Sequence, residues 1–390
     1  MSSYFFYGTL RHLPLLNLVL GEDPTRDPDG PRAGLVDARL PGYRLLWAKG
    51  QSFPVAVPVA GDAAEDGAEG EQPAIDGVLV TGLTDPQLAR LDYFMTGFGF
   101  APQRVEVDTV EGVAASMAYL PGDDRWRTGA AFHYDSWLDR HAGLEIAAAE
   151  EAMAHYGQVD ADRMAGRFHA IRTRAQARLN ARTHDTAASL RGDPPEITVM
   201  ERSLPYADFF AVEDYRLSVP RHDGEGEIEM SRAVFVSGDA ATVLPYDPLR
   251  DCVLLVEQFR AGPFARGDRN PMVLEPIAGR VDPGETPEDC ARREALEEAG
   301  LELGALHEVA RYYPSPGAKS EYLYSYIALA DLPESAMGVH GLLGETEDIR
   351  THVVSFTRLM ELVETGEANT APLLISAAWL ARERERLREG

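Results

Sequence analysis

The chain has 390 residues, 45% of them hydrophobic, and a formal net charge of −26. That length suits two ordinary domains with real cores, and the acidic balance excludes general binding to nucleic acids or anionic membranes, which it would repel. The only cysteines, Cys252 and Cys290, exclude a disulfide framework and a thiolate metal site and read as small fillers.

Along residues 1–125, the segments YFFYGTL, GYRLLWA, FPVAVPV, DGVLVTGL, QRVEVDTV and AASMAYL alternate with Gly and Pro turns. They predict a small, barrel-like mixed β domain. The acidic Gly/Ala stretch from Gly61 to Gln72 has nothing apolar to bury and reads as a flexible surface insertion. Over 126–192 the pattern turns helical and reads as a connector. Met164, Phe168, Ile171, Ala175 and Leu179 recur three or four apart, as one apolar stripe that must pack on something. Arg163, Arg167, Arg172, Arg174, Arg178 and Arg182 on the same segment are expected to form a solvated helix face answering the acidic remainder. GDPPE at 192–196 reads as a hinge. Over 193–390, DCVLLVEQFR, VLEPIAG and EYLYSYIAL read as strands, and TAPLLISAAWLARERERLRE as a terminal helix. The fold class predicted for the whole is α/β (α+β). No run approaches about 18 uninterrupted apolar residues, and the first residues lack a basic flank before an apolar stretch, so a cytoplasmic protein without membrane partners is expected.

One run carries the chemistry: GRVDPGETPEDCARREALEEAGL, residues 279–301. Its fixed identities fall at Gly279, Glu285, Arg293, Glu294, Glu297, Glu298 and Gly300, with apolar residues required at Ala295 and Leu301. Seven such identities at roughly 7–10% usage arise by chance on the order of 10⁻⁵ times in a chain of this length. Thr286 is a helix N-cap, Pro287 takes the first helical position, and Asp289 stands where it returns the capping bond. Gly300 supplies the left-handed stop, so the helix should run from about Pro287 to Ala299. Glu294 and Glu298 then share one face with Cβ atoms about 5–6 Å apart. Carboxylates so close repel unless a cation lies between them, and oxygen ligands point to Mg²⁺ or Mn²⁺. The bland alternative is a solvated acidic helix face; the glycine loop and the Arg293-Glu294 pair argue against it. With only two lysines, Lys49 and Lys319, nearly all positive charge is arginine, whose planar fork suits phosphate.

These residues resemble the box of the Nudix hydrolase superfamily, and FFAVEDYRL, LVEQFRAG, EPIAGRVDPGE, SPGAKSEYLY and GETEDIRTHVVS resemble its bacterial ADP-ribose pyrophosphatase branch. The resemblance implies an α/β/α sandwich with a mixed sheet that hydrolyses ADP-ribose to AMP and ribose 5-phosphate. It implies two or three Mg²⁺ ions (or Mn²⁺) held by Glu294, Glu298, Glu347 and the carbonyl of Ala278, with Glu345 as general base. Glu285 and Arg293 would brace loop against helix, and Glu297 would bind a further cation or fix Arg293. Arg232 and Arg260 would hold the diphosphate, Phe209 and Phe210 the adenine, and Ser315, Pro316, Gly317 and Glu321 the terminal ribose. A homodimer is implied, because in the family the aromatic pair can come from a partner subunit. The alternatives are another nucleoside-diphosphate sugar or dinucleotide as substrate, or a non-catalytic nucleotide-binding regulator.

The N-terminal part resembles the gamma-glutamylcyclotransferase-like (AIG2-like) superfamily through Tyr7-Gly8-Thr9-Leu10 at a strand end, Leu91-Asp92 and the GFGFAPQRVEV segment. Gly8 and Thr9 would offer backbone donors to a carboxylate; a tight structural turn explains them as well. Active members carry a glutamate after the Leu-Asp, where this chain has Met95-Thr96-Gly97, and neither Met nor Thr can shuttle a proton. The domain is therefore expected to be catalytically silent. The two-part arrangement also resembles proteins labelled tellurite-resistance proteins, a role for which these residues offer no direct chemistry.

Overall fold

The computed structural model describes residues 2–22, 34–59, 73–183, 189–340 and 348–389. It divides between Ala175 and Gln176 into two compact units, inside the segment read from the sequence as a connector. The acidic insertion from Gly61 to Gln72 lies outside the described residues.

In the first unit the order is β1 (Ser2–Tyr7), α1 (Leu13–Leu20), β2 (Leu35–Pro41), β3 (Tyr43–Ala48), β4 (Pro54–Pro58), β5 (Ala74–Leu83), α2 (Asp85–Thr96), β6 (Phe100–Thr109), β7 (Gly112–Pro121) and β8 (Thr128–Ala131). The helices α3 (Tyr134–Arg140), α4 (Ala142–Ala154), α5 (Ala161–Gly166) and α6 (Phe168–Thr183) follow, with α6 continuing past the boundary. Five strands close into a barrel in the order β1-β5-β2-β6-β7, and β4-β3-β8 form a separate small sheet. Alternate residues fill the barrel core: Phe5 and Tyr7 meet Leu40, Leu79, Val107, Ala118 and Leu120. Tyr4 and Phe6 point the other way and are buried too, which is why β1 is apolar throughout.

The helical stripe packs as expected, with Met164, Ile171 and Ala175 fully buried. The arginine face does not behave as expected. Arg174 is fully buried and its Nε donates to Glu151 at 2.9 Å, while Arg172 pairs with the buried Glu145 at 3.0 Å. Arg178, beyond the boundary, pairs with the buried Glu213. A buried carboxylate without a partner is costly, so these arginines turn inward; Arg163 and Arg182 alone of the six are exposed.

The second unit opens with β9 (Thr198–Ala207), β10 (Ala211–Pro220) and β11 (Glu227–Val236), an antiparallel sheet in the order β11-β10-β9. Then come β12 (Ala240–Asp247), β13 (Cys252–Phe259), α7 (Ala261–Arg266), β14 (Met272–Glu275), β15 (Ile277–Arg280), α8 (Pro287–Ala299), β16 (Leu306–Tyr312), β17 (Leu323–Leu329), β18 (Gly338–His340), β19 (Ile349–Ser355), α9 (Phe356–Thr365) and α10 (Ala371–Glu389). A mixed sheet runs β16-β17-β12-β13-β19-β18, with β14 added to β13 and β15 to β12; only β12 and β17 pair in parallel.

Period-two alternation sends neighbours to opposite faces. Val243, Leu254 and Val256 pack with Cys290, Ala291, Ala295 and Ala299 of α8. Leu244, Val253 and Leu255 pack with Leu359 and Leu362 of α9 and Leu373, Ala377 and Leu380 of α10. The helix–sheet–helix sandwich follows from that pattern. The stretch VLEPIAG, expected as one strand, is two. Pro276 lacks an amide hydrogen, so β14 pairs with β13 and β15 with β12. Leu254 has no exposed surface, and Leu254→Ala is expected to cost about 2–5 kcal/mol, measured as a lower denaturant midpoint at unchanged slope.

Among the described residues no helix is long and apolar enough to cross a membrane.

Candidate functional site

The helix that carries the box has the ends expected from its sequence. Thr286 accepts from the Asp289 amide at 3.1 Å, and Gly300 has φ +62° in the left-handed region. These caps fix the rotation of α8, and so the direction of Glu294 and Glu298. Small residues on its inner face, Cys290, Ala291, Ala295 and Ala299, bring it onto β12 and β15.

Gly279 shows why that position has no side chain: a Cβ there would overlap the Glu294 carboxylate. The glycine makes the cradle in which that carboxylate rests. Glu298 is 2% exposed, and one of its oxygens accepts from the Ala278 amide at 3.4 Å. Arg293 ties loop to helix. Its guanidinium donates to both Glu285 oxygens, at 2.8 and 3.0 Å, to Glu294 at 2.7 Å, to Glu297 at 3.1 Å and to the Arg280 carbonyl at 3.1 Å. The Glu285 carboxylate hydrogen-bonded to it, with Glu294 adding charge, pushes the arginine's proton affinity further up. Glu285 in turn accepts from the Asp282 amide at 3.0 Å, closing the loop. Glu297 stands where it fixes Arg293.

A hard divalent cation fits this donor set. Glu294 and Glu298 offer only oxygens, in a cradle a methyl group would fill, on a helix held at both ends. Among the described residues no three His, Cys, Asp or Glu side chains converge as a metal site. The two further acids expected from the sequence, Glu345 and Glu347, lie outside the described residues.

The aromatic pair is present and connected to the box. The rings of Phe209 and Phe210 meet edge to face at 4.8 Å, and Phe210 lies 4.8 Å from Phe235. Phe209 is 54% exposed, so a flat ligand has access to it. The Arg280 guanidinium sits 3.6 Å from the Phe209 ring centre and donates to the Phe209 carbonyl at 3.4 Å. Arg280 was not singled out in the sequence. Its signal was available, because it directly follows Gly279 in the box, and its backbone carbonyl also receives Arg293.

The loop containing Ser315, Pro316 and Gly317 is pinned to the same aromatic cluster. Phe235 donates its amide to Ala318 at 2.8 Å, Ser320 donates back to Phe235 at 3.1 Å, and the Ser315 carbonyl accepts from Ala318 and Lys319. Lys319 joins Glu321 at 2.9 Å and lies 5.9 Å from the Phe235 ring centre. Arg232 and Arg260 are held by their own neighbours. Arg232 donates to the Ser231 carbonyl at 2.8 Å and Arg260 to Glu275 at 2.6 Å.

Both thiols are structural. Burial, then nearby Glu294, pushes Cys290 up, and burial pushes Cys252 up. A thiol held protonated is a poor nucleophile. Iodoacetamide is therefore expected to leave the native chain unmodified at neutral pH and to add two groups after unfolding, as read by intact mass.

In the first unit, Tyr7 ends β1 and donates its hydroxyl to the Tyr119 carbonyl at 2.5 Å. Gly8 has φ +58°, and a Cβ there would lie 2.6 Å from Pro54. Thr9 and Leu10 continue into a short 3₁₀ turn and line a cavity. Thr96 ends α2 with its hydroxyl returned to the Asp92 carbonyl at 2.7 Å, and Asp92 accepts from Tyr119 at 2.6 Å.

Residues 236–375 match the family described as "NUDIX domain", and residues 4–139 the family "Gamma-glutamyl cyclotransferase, AIG2-like". The chain is 37% identical over 193 residues to "ADP-ribose pyrophosphatase" of Escherichia coli strain K12, covering 50% of this chain and 91% of that protein. It is 33% identical over 187 residues to the protein of the same name from Haemophilus influenzae, covering 47% and 86%. Against "GDP-mannose pyrophosphatase" of Escherichia coli strain SMS-3-5 it is 32% identical over 172 residues, covering 44% and 88%. With the box geometry in place and these relatives matched over nearly their whole lengths, the chain belongs to the Nudix family.

Proposed function

We propose that the second unit hydrolyses the diphosphate of ADP-ribose to AMP and ribose 5-phosphate with Mg²⁺. The observation that carries this reading is the box itself: Glu294 in the Gly279 cradle and Glu298 buried beside the Ala278 amide, on a doubly capped helix. Relatives named ADP-ribose pyrophosphatase at 33–37% identity support the substrate.

Glu294, Glu298, Glu347 and the Ala278 carbonyl would hold two or three Mg²⁺ ions. Bound there, the ions neutralise the diphosphate oxygens and acidify water. The residues of the chain do the rest. Glu345 accepts the proton of the attacking water. Phe209 and Phe210 stack on the adenine, and Arg280 stiffens Phe209 from behind. Arg232 and Arg260 turn from their present partners to the phosphates, where a planar fork binds two oxygens at once. Glu285 and Arg293 keep the loop against the helix.

The test is turnover of ADP-ribose, NADH and GDP-mannose by a phosphate-coupled assay, with and without Mg²⁺. ADP-ribose is expected to be preferred and Mg²⁺ to be required. The relative named GDP-mannose pyrophosphatase supports a second reading, another nucleoside-diphosphate sugar, and a GDP-mannose preference would establish it instead. A homodimer is part of the proposal; light scattering giving the monomer mass would remove it. The first unit is proposed to be silent as a cyclotransferase, because Met95-Thr96-Gly97 supplies no proton shuttle at the end of α2. Release of 5-oxoproline from a gamma-glutamyl dipeptide by the full chain would contradict that.

A further inference from the structure

Gln258, near the end of β13, is 6% exposed, and its side-chain nitrogen has no hydrogen-bond partner. A buried donor left unpaired is costly, so a folded chain that keeps one has a use for it in another state.

The sheet shows where that use lies. Leu254 and Val256 of β13 pack against α8. Alternation puts Gln258 on the same face, followed by Arg260, whose backbone is still extended. Beside them β14 runs antiparallel, with Val256 opposite Glu275 and Gln258 opposite Val273. Opposed residues share a face, so Glu275 stands diagonally across from Gln258, about 7–8 Å away and within reach of a long side chain.

In the free chain Glu275 is held by Arg260, whose Nε donates to its Oε2 at 2.6 Å. The Glu275 side chain is 15% exposed. Arg260 is also one of the two arginines that turn to the phosphates in the proposed reaction. Its departure leaves a largely buried carboxylate without a cation, a state that opposes binding. The idle amide of Gln258 and the abandoned carboxylate of Glu275 are a matching donor and acceptor.

Resting on the reading of the second unit as a diphosphate hydrolase, we propose that Gln258 is a positioning residue, whose amide donates to Glu275 when Arg260 leaves it for the phosphates. Gln258 touches neither the ligand nor the reacting atoms. It acts through Glu275, by offsetting the loss of the ion pair and so freeing Arg260 to grip the diphosphate.

Gln258→Met keeps the length of the side chain and removes the donor. The test is steady-state kinetics on whichever of ADP-ribose and GDP-mannose the parent turns over better. KM is expected to rise about tenfold or more, the worth of one hydrogen bond to a charged group. The grip is lost equally in ground and transition states, so kcat is expected to stay within about twofold of the parent's. The melting temperature of the free protein is expected to hold or rise, because an apolar side chain replaces an unpaired amide. On an Arg260→Ala background no arginine leaves Glu275, and adding Gln258→Met is expected to leave KM unchanged.

Three results overturn the proposal: an unchanged KM in Gln258→Met, a melting temperature of the free variant below the parent's, or an equal rise in KM on the Arg260→Ala background, which would mean direct contact with the ligand. A parent that turns over neither substrate removes the hydrolase reading and the proposal with it. A parent that turns over either one, with KM indifferent to Gln258→Met, removes the proposal alone.

Discussion

Glu345→Gln is expected to lower ADP-ribose turnover by about 10²–10⁴-fold, the usual range for a general base, while nucleotide affinity stays close to the parent's. Glutamine keeps the size and the hydrogen bonding but cannot take a proton from water at neutral pH. Stopped turnover with retained binding of a non-hydrolysable ADP-ribose analogue is the signature. Near-parental turnover would take Glu345 out of the chemistry and pass the role to another acid of the GETE segment. Binding lost together with turnover would make Glu345 a ligand-holding residue.

Gly279→Ala is expected to cost about 10²-fold or more in turnover, because a misplacement of about 1 Å at a reacting centre has that effect. The new methyl group would overlap the Glu294 carboxylate and displace it from its cradle. Arg293 would lose its bond to Glu294 but keep both bonds to Glu285. Folding should therefore suffer less than activity, by about 1–3 kcal/mol as for other overpacked sites. The measurement pairs a thermal melt with an Mg²⁺ titration of activity. A parental Mg²⁺ requirement and rate would show that Glu294 works without the cradle.

The parts of the fold that could be read from the sequence are those where local signals agree. Thr286, Pro287 and Gly300 mark the ends of α8, and the helix begins and ends there. The uninterrupted apolar run in DCVLLVEQFR gives β13, buried on both faces.

Long-range partners were not legible. Nothing in VLEPIAG says that its two halves pair with different strands; that is decided by β12 and β13, which lie before it in the chain. The arginines of α6 look solvent-bound until Glu145, Glu151 and Glu213 are known to be buried opposite them. In the site, the box residues come together because one helix and one loop hold them. Phe209 and Phe210 join through Arg280, whose contact spans a sequence separation of 71. Arg232 and Arg260 are seen with Ser231 and Glu275 rather than with each other.

The five barrel strands of the first unit return upon themselves, so each of them has a neighbour on either flank. A rolled sheet leaves no ragged border of unspent amides for a stranger's backbone to zip onto. The open sheets keep such a border, at β4 and β8 in the first unit and at β9, β11, β16 and β18 in the second. Under crowding, unwanted strand-to-strand sticking should therefore begin at those open sheets, and the barrel should be the part that stays a bystander.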